Sequence, residues 1–324
     1  MQIKLDDPAY PEALHSLPNP PEILTTSGPL EPRRAVAIVG SRDATEDALL
    51  FAHGLAYQLA RAGIVVVSGG ALGIDGAAHR GALAAGSATW VVSPTGRNRL
   101  YPPEHRALFA EIAASEESRM LWSFPDETEA TTNTFMYRNG VLAALSVALV
   151  VVQARYASGS RNAARWARSM GRKVWAVTAF PWSGEFCGSH AMIQEEAAKP
   201  FCTTRHFFKS LGLGRPVEAP PVDPASLLIG ARRVPGPRRS KKHGRASFSR
   251  VVPEDPPKPL ATGSWTPEER LIFSMVLTHP VHVEEIVDVT ALPVPSVTTA
   301  LLTLSLKDVV VEGPDGFFRR RSVA

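Results

Sequence analysis

The sequence predicts a doubly wound, Rossmann-like α/β domain with a parallel sheet, followed by a smaller winged-helix domain. Apolar runs alternate with helix-length stretches in the first 210 residues, and three helical patterns with a terminal hairpin occupy the end of the chain. Runs that are apolar on both faces and separated by helices are typical of parallel strands covered by helices. The runs lie at 35–39, 64–67, 88–92, 147–152 and 173–177.

Length and composition indicate a globular protein of two domains. The chain has 324 residues, of which 44% are hydrophobic, and this is enough apolar material for a substantial core. The two cysteines, Cys187 and Cys202, form neither a disulfide framework nor a cysteine-rich zinc site. The longest apolar run, Val141 to Val152, is interrupted by Ser146 and is too short to span a bilayer. We therefore expect a cytoplasmic location and no membrane partner.

The distribution of charge divides the chain. Residues 211–263 hold ten Lys and Arg against four Asp and Glu, together with ten of the 28 prolines and the run RRSKKHGR. Residues 264–324 hold five against eight. A proline-rich basic stretch of this kind is typical of an extended linker. The predicted organisation is an N-terminal extension (1–30), a Rossmann-like domain (31–212), a linker (213–263) and a winged helix (264–324).

The winged-helix prediction rests on capping signals and turn residues. Thr266, Pro267 and Glu269 form the signature of a capped helix start, and two shorter helical patterns follow. The hairpin is expected around residues 313–316. The third helix, residues 296–306, lacks Lys, Arg, Asn and Gln, the side chains that read DNA bases most often. This helix is therefore not expected to read a DNA groove.

A glycine turn after the second apolar run raises the question of what it holds. Ser68, Gly69, Gly70 and Gly73 separate this run from a helix that ends at Gly86. A strand, glycine turn and helix direct backbone N–H groups at a bound anion, most often a phosphate. A tight turn without any ligand is the alternative interpretation. The spacing matches neither a dinucleotide fingerprint nor a P-loop.

Small, hydroxylic or basic residues also follow the other predicted strands. Because ligands bind beyond the carboxyl ends of parallel strands, these residues are expected to form one phosphate-binding edge. Residues 130–184 contain no Asp or Glu, and their predicted helix carries Arg161, Arg165, Arg168 and Arg172 on one face. Arg161 is the one expected to serve the site, whereas the others suit a solvated face.

Catalytic and metal-binding motifs are absent from the sequence. It contains no G-x-S-x-G, no H-E-x-x-H and no cysteine–histidine signature. Asp75 is the only acid near the glycine turn, and in the first turn of a helix it is expected to cap or to face the dipole rather than to act as a general acid. We therefore expect no enzyme activity, no cofactor and no metal.

Taken together, the motifs resemble the DprA/Smf family of bacterial DNA-processing proteins. The ordered set is YPEALHSLPNPPEILTTSGPL, VAIVGSR, VVSGGALGIDGAAHRGAL, YPPEH, YRNGVLAALS, VVVQARYASGS, GRKVWAV and the terminal winged helix. The resemblance implies a dimeric protein that binds single-stranded DNA during natural transformation, shields it from nucleases and loads the RecA recombinase onto it. The alternative is a nucleotide-binding enzyme or sensor that has kept the related fold.

Carried over to this sequence, the resemblance implies a DNA site built from the strand-end residues. They are Gly40, Ser41, Arg42, Ser68, Gly69, Gly70, Arg138, Asn139, Ser158, Gly159, Ser160, Arg161 and Lys173. Leu72 and Gly140 stand where the family usually has arginines, and Gln153 stands where a glutamate is common. Compensating positive charge is expected from Arg97, Arg99, Arg155 and Arg161.

Two further expectations concern aromatic residues. Phe201, Phe207, Phe208 and Leu211 form an apolar segment, which is either a dimer interface or part of the core of one subunit. Trp166, Phe180 and Trp182 are candidates for stacking against DNA bases, although packing against the sheet is the stronger expectation for Trp166.

Overall fold

The structure is a computed structural model that describes residues 1–180, 183–228, 265–276, 281–290, 292–307, 309–312 and 317–320. The chain divides into two compact units, residues 1–236 and residues 237–324. No helix among the described residues is long and apolar enough to cross a membrane.

The first unit is built on a nine-stranded sheet, in the order β1-β2-β6-β5-β4-β3-β7-β8-β9. The strands are β1 (Gln2–Lys4), β2 (Ile23–Thr26), β3 (Ala35–Val39), β4 (Val65–Ser68), β5 (Thr89–Ser93), β6 (Arg119–Trp122), β7 (Ala148–Val151), β8 (Lys173–Val177) and β9 (Lys199–Phe201). Seven neighbouring strands of this sheet are parallel, namely β6, β5, β4, β3, β7, β8 and β9. The other two are antiparallel, since β1 pairs with β2 and β2 pairs with β6. The predicted parallel sheet is confirmed, and each predicted run coincides with a strand to within two residues.

Helices cover both faces of this sheet, as a doubly wound fold requires. They are α1 (Glu46–Arg61), α2 (Ile74–Ala84), α3 (Arg106–Ala114), α4 (Thr132–Ala144), α5 (Gly159–Ser169), α6 (Cys187–Gln194), α7 (Thr204–Ser210) and α8 (Pro224–Leu227). One apolar cluster packs α1 and α2 against the sheet, and a second packs α4 and α5 against it. Alternate residues of β3 divide between the two clusters, since Val36 and Ile38 join the first while Ala37 and Val39 join the second. The strand is therefore buried on both faces.

Both ends of the Rossmann-like domain extend further than the sequence predicted. The N-terminal extension is part of the sheet, because β1 pairs with β2 and β2 pairs with β6. At the other end, residues 213–228 pack against the domain, whereas the sequence analysis assigned them to the linker. Leu227 of α8 is buried, and Gln58 Nε2 donates to the backbone oxygen of Val217 at 2.8 Å. The rest of the predicted linker, including RRSKKHGR, lies outside the described residues.

The aromatic segment near the end of this domain belongs to the core. Phe201, Phe207 and Phe208 are 4%, 0% and 1% exposed, and Leu211 packs against the same cluster as a partly buried residue. Trp175 meets both Phe201 and Phe207 edge-on. Phe201, Phe207 and Phe208 leave almost no free surface for a second subunit, so the structure favours the alternative that they belong to the core of one subunit.

The described residues of the second unit form a small helical domain with a three-stranded sheet. Its elements are α9 (Pro267–Met275), β10 (Val281–His282), α10 (Val283–Thr290), α11 (Val294–Leu306), β11 (Val310–Glu312) and β12 (Phe317–Arg320). The predicted capping box is present, since Thr266 N–H donates to Glu269 Oε2 at 3.0 Å and Glu269 N–H donates to Thr266 Oγ1 at 3.1 Å. β11 and β12 pair as an antiparallel hairpin, whose turn, residues 313–316, lies outside the described part of the chain.

Candidate nucleic-acid interface

A cleft of about 330 Å³ lies at the carboxyl edge of the sheet. It is bounded by the loop after β3, the helices α4 and α5, and the loop after β7. Of the predicted site residues, eight line it, namely Gly40, Ser41, Arg42, Arg138, Asn139, Ser158, Gly159 and Ser160. Ser68, Gly69, Gly70, Arg161 and Lys173 are not among its lining residues. The structure therefore brings eight of the thirteen predicted site residues together in one cleft.

The glycine turn after β4 is occupied by a carboxylate of the same chain. The backbone N–H groups of Gly69 and Ala71 donate to Asp75 Oδ2 at 3.1 and 3.4 Å. Asp75 lies in the first turn of α2 and is 5% exposed. The hydroxyl of Ser68 donates to the backbone oxygen of Ile38 at 2.6 Å, which holds β4 to β3. These hydrogen bonds are internal, so the prediction that this turn offers its amides to a phosphate is wrong.

Arg138 supports the same turn from the other side. Its side chain is 4% exposed, and Nη1 donates to the backbone oxygens of Gly69 and Val92, the latter at 2.6 Å. A Cβ atom at Gly69 would overlap this guanidinium, so only glycine admits Arg138 here. Burial lowers the pKa of Arg138 to about 10, although the charge of Asp75 opposes this shift. Arg138 therefore stays protonated at neutral pH and acts mainly as a structural cation.

The surroundings of Asp75 act on its pKa in opposite directions, and burial is the larger influence. Burial raises the pKa of its carboxyl group, while Arg138 and the two backbone N–H groups act in the opposite direction. A carboxyl group that already accepts both turn amides is poorly placed for acid–base chemistry on a substrate. The expectation that Asp75 has a structural role in the first turn of the helix is consistent with this arrangement.

The other half of the cleft is open to solvent. Arg42, after β3, is exposed, and its guanidinium lies 4.8 Å from the centre of the Phe135 ring. Arg155, after β7, is exposed and has no hydrogen bond or ion pair to any described residue. Ser158 caps α5 by accepting a hydrogen bond from the Ser160 N–H at 3.2 Å. Two arginines without an acidic partner among the described residues, together with a helix N-terminus, therefore surround this half of the cleft.

Phe135 and Tyr101 form an aromatic wall that the sequence analysis did not select. Their ring centres are 5.3 Å apart in an edge-to-face arrangement, and Arg42 Nη1 donates to Tyr101 Oη at 3.4 Å. Phe135 precedes Arg138 by three residues on α4, so the two share one face of the helix. This spacing is a signal that could have revealed Phe135, and Tyr101 stands in the quoted YPPEH motif.

Several of the expected basic residues are already paired. Arg161 forms two hydrogen bonds with Glu195, at 2.8 and 2.9 Å, while Arg97 contacts Asp126 at 2.7 Å. Arg99 is paired with Glu127 at 3.2 Å. Of the four arginines expected to compensate for Leu72 and Gly140, only Arg155 lacks a partner among the described residues.

Lys173 and Trp166 lie away from the open half. Lys173 is the first residue of β8 and therefore sits at the amino edge of the sheet, opposite the cleft. Trp166 is half-buried, and its Nε1 donates to the backbone oxygen of Met136 at 3.1 Å, in accord with a packing role. Phe180 is 67% exposed, whereas Trp182 lies outside the described residues.

The described residues contain no cluster of three or more His, Cys, Asp or Glu side chains that could hold a metal ion. The histidines nearest the glycine turn are buried. His105 is 1% exposed, with Nδ1 2.9 Å from the backbone oxygen of Gly70, and His79 is 0% exposed, with Nδ1 2.7 Å from Thr89 Oγ1. Burial lowers the pKa of both, for His79 to about 3. They are neutral packing residues in this arrangement.

Comparison with known proteins identifies the family. Residues 2–212 match the model of DNA recombination-mediator protein A, and residues 256–316 match the model of the DprA winged helix domain. Protein Smf of Synechocystis is 30% identical over 98% of this chain and 79% of its own length. The putative DNA processing protein DprA of Mycobacterium tuberculosis is 40% identical over 51% of this chain and 42% of its own length.

Solved structures agree with this assignment. DNA processing protein A from Helicobacter pylori, solved in a study of its single-stranded DNA binding mode, matches with a TM-score of 0.59 and 28% identity, over 65% of this chain and 95% of its own. DprA from Streptococcus pneumoniae matches with a TM-score of 0.58 and 27% identity, over 64% of this chain and 73% of its own. The chain therefore belongs to the DNA recombination-mediator protein A family, the DprA/Smf proteins.

Proposed function

We propose that this protein binds single-stranded DNA in the cleft at the carboxyl edge and loads the RecA recombinase onto the bound strand. The observation that carries the proposal is the open half of the cleft. There Arg42 and Arg155 lie exposed without an acidic partner among the described residues, beside the Phe135 ring and the N-terminus of α5. The resemblance of the motifs to the DprA/Smf family adds support for the loading step.

The chemistry of this half suits a nucleic-acid backbone. Guanidinium groups form charge-assisted hydrogen bonds with phosphate oxygens, and the first turn of a helix attracts negative charge. Aromatic rings next to a basic groove provide surfaces on which bases can stack without sequence preference. Phe135 and Tyr101 replace Trp166 as the candidates for stacking, because the Trp166 ring is held by packing and a hydrogen bond.

The test is a binding assay with a labelled oligonucleotide at several salt concentrations. Affinity should fall as salt rises, with a log–log slope of about −0.7 for each phosphate neutralised. A salt-independent affinity would contradict phosphate binding in the cleft. Stronger binding of free nucleotides than of oligonucleotides would favour the alternative, a nucleotide-binding enzyme or sensor.

Recombinase loading is tested separately. RecA and an oligonucleotide coated with single-strand-binding protein are mixed with and without this chain, and filament assembly is followed by RecA ATPase activity. The proposal expects faster assembly with the native chain and a smaller acceleration with Arg42→Ala. Acceleration that is the same for both chains would show that loading does not depend on this cleft.

We further propose that the protein is a homodimer in solution. Light scattering that finds only monomer at high micromolar concentration would contradict this proposal.

A further inference from the structure

A second cavity of about 390 Å³ lies apart from the DNA cleft, between the helices α1, α2, α3 and α8. Its lining combines charged and polar side chains with an apolar roof: His53, Arg80, Leu83, Ala84, Glu111, Val222, Ser226 and Leu227. None of these residues lines the cleft at the carboxyl edge. Nothing in the proposed DNA-binding function uses this cavity.

Arg80 is the unusual residue of this cavity. Its side chain is half-buried, and its Nη1 atom is inaccessible to solvent and lacks a hydrogen-bond partner. Among the described residues, Arg80 makes no ion pair within 4 Å, although Glu111 stands at the rim. An unpaired, partly buried guanidinium is costly, because burial removes water without providing an acceptor. An anion in the cavity would supply that acceptor.

His53 adds a second nitrogen donor without a partner. It is 4% exposed, it lines the same cavity, and its ring makes no hydrogen bond to any described residue. Burial lowers the pKa of His53, and the charge of Arg80 lowers it further. The imidazole is therefore neutral at pH 7, with one N–H available for donation. His53 and Arg80 thus offer donors to one cavity.

We propose that this cavity binds a small phosphate-containing anion, with Arg80 as the counter-charge and His53 as a hydrogen-bond donor. Val222 and Leu227 form apolar walls that strengthen such contacts by excluding water. Glu111 is exposed and lines the cavity, so its charge opposes any anion and binding depends on Arg80 and His53. The cavity of about 390 Å³ is large enough for inorganic phosphate or a monophosphate and too small for a DNA strand.

The experiment titrates inorganic phosphate into the full chain and follows the His53 ring by NMR, with the signal assigned through His53→Gln. A bound anion favours the imidazolium form, so the His53 pKa should rise as phosphate saturates the cavity. Arg80→Gln should weaken the apparent phosphate affinity by about tenfold or more, as expected when a charge-assisted hydrogen bond is lost. Arg80→Lys keeps the charge and should retain part of the effect.

Matched controls separate this cavity from the DNA cleft. Arg61→Gln, at the exposed end of α1, and Arg42→Ala, in the cleft, should leave the phosphate response of His53 unchanged. A hexanucleotide should leave the His53 signal in place. The proposal is overturned if millimolar phosphate leaves His53 unaffected, if folded Arg80→Gln responds as the native chain does, or if the hexanucleotide shifts His53 as strongly as phosphate. Since oligonucleotide affinity is measured independently, this failure differs from failure of the DNA-binding proposal.

Discussion

The two halves of the carboxyl edge have similar sequences and opposite roles. The turn after β4 and the loops after β3 and β7 all contain glycine and serine, and arginines follow β3 and β7. After β4, Asp75 and Arg138 take up the polar groups of the turn, so that half is closed by the chain itself. After β3 and β7, Arg42 and Arg155 are exposed to solvent.

The comparison teaches that turn composition alone does not reveal whether a ligand is bound. The deciding residue is an acid six positions beyond Gly69, which α2 returns to the turn. The Asp75 carboxylate occupies the place of the predicted anion. If the cleft binds DNA as proposed, the open half is expected to contribute most of the affinity, and the predictions below test this division.

The largest expected effect concerns the closed half. Arg138→Met keeps the apolar part of the side chain but removes the guanidinium that donates to the backbone oxygens of Gly69 and Val92. It also removes the positive charge that acts on Asp75. Removing one member of a buried charged network costs about 3–5 kcal/mol of stability. Urea unfolding should show this loss.

The matched control is Arg155→Met, an arginine of the open half without a partner among the described residues. Its free energy of unfolding should stay within about 0.5 kcal/mol of the native value, as for most surface substitutions. If Arg138→Met unfolds at the same urea concentration as the native chain, the closed half is not held together by this guanidinium.

The next effect concerns the open half. Arg42→Ala should leave stability unchanged and weaken oligonucleotide binding by about 1.5–3 kcal/mol, since it removes charge-assisted contacts to phosphate. Fluorescence anisotropy at low and moderate salt measures this loss. Lys173→Ala, at the opposite edge of the sheet, is the matched control and should bind within about twofold of the native chain. Equal losses in both variants would mean that general surface charge, rather than the cleft, binds the strand.

These contrasts also show what the sequence could predict. Strand positions followed from apolar runs, because parallel strands buried on both faces carry a strong local pattern. The strands β1, β2, β6 and β9, of three or four residues each, were missed. Strands so short carry little periodicity, and their pairing depends on distant partners.

At the site, the sequence predicted the edge but not the pairing of its side chains. Arg161 meets Glu195 across 34 positions, and Arg138 meets the carbonyl of Gly69 across 69 positions. Such long-range contacts depend on how α4, α5 and α6 pack. Residues 213–228 were assigned to the linker from their prolines, yet Leu227 is buried by tertiary packing that composition does not reveal.

A smaller effect is the pH dependence of the closed half. His79 has a pKa of about 3 when folded, because burial disfavours its charged form, against about 6.5 when unfolded. Between these values the unfolded chain binds a proton that the folded chain does not. Stability is therefore fully present above pH 6.5 and falls as the pH decreases, by up to about 1.4 kcal/mol per pH unit. The lowered pKa values of His53 and His105 act in the same direction.

Urea unfolding between pH 7.5 and pH 5.5 measures this slope before most carboxyl groups titrate. His79→Gln should unfold with a shallower pH dependence, whereas the exposed His15→Gln should keep the native slope. If folded His79→Gln keeps the pH dependence of unfolding that the native chain shows, His79 is not the buried neutral group that causes this dependence.

The smallest expected effect tests whether the open half carries strand binding without the winged helix. Residues 264–324 have an excess of three acidic residues, and the third helix of the winged-helix prediction, observed as α11 at Val294–Leu306, has no basic residue within its span. Entry into a DNA groove requires phosphate neutralisation, and the bases are read most often by Arg, Lys, Asn and Gln side chains, none of which lies in α11. Deleting residues 264–324 should therefore change single-strand affinity by less than about twofold, equivalent to about 0.4 kcal/mol.

A longer truncation, which ends the chain before Arg232, also removes the basic residues at 232–258. It should weaken single-strand binding and reduce the salt dependence of the affinity. Duplex binding by the isolated winged helix at physiological salt would contradict this assignment of DNA binding to the cleft. The acidic domain would then make DNA contacts of the kind assigned to Arg42 and Arg155.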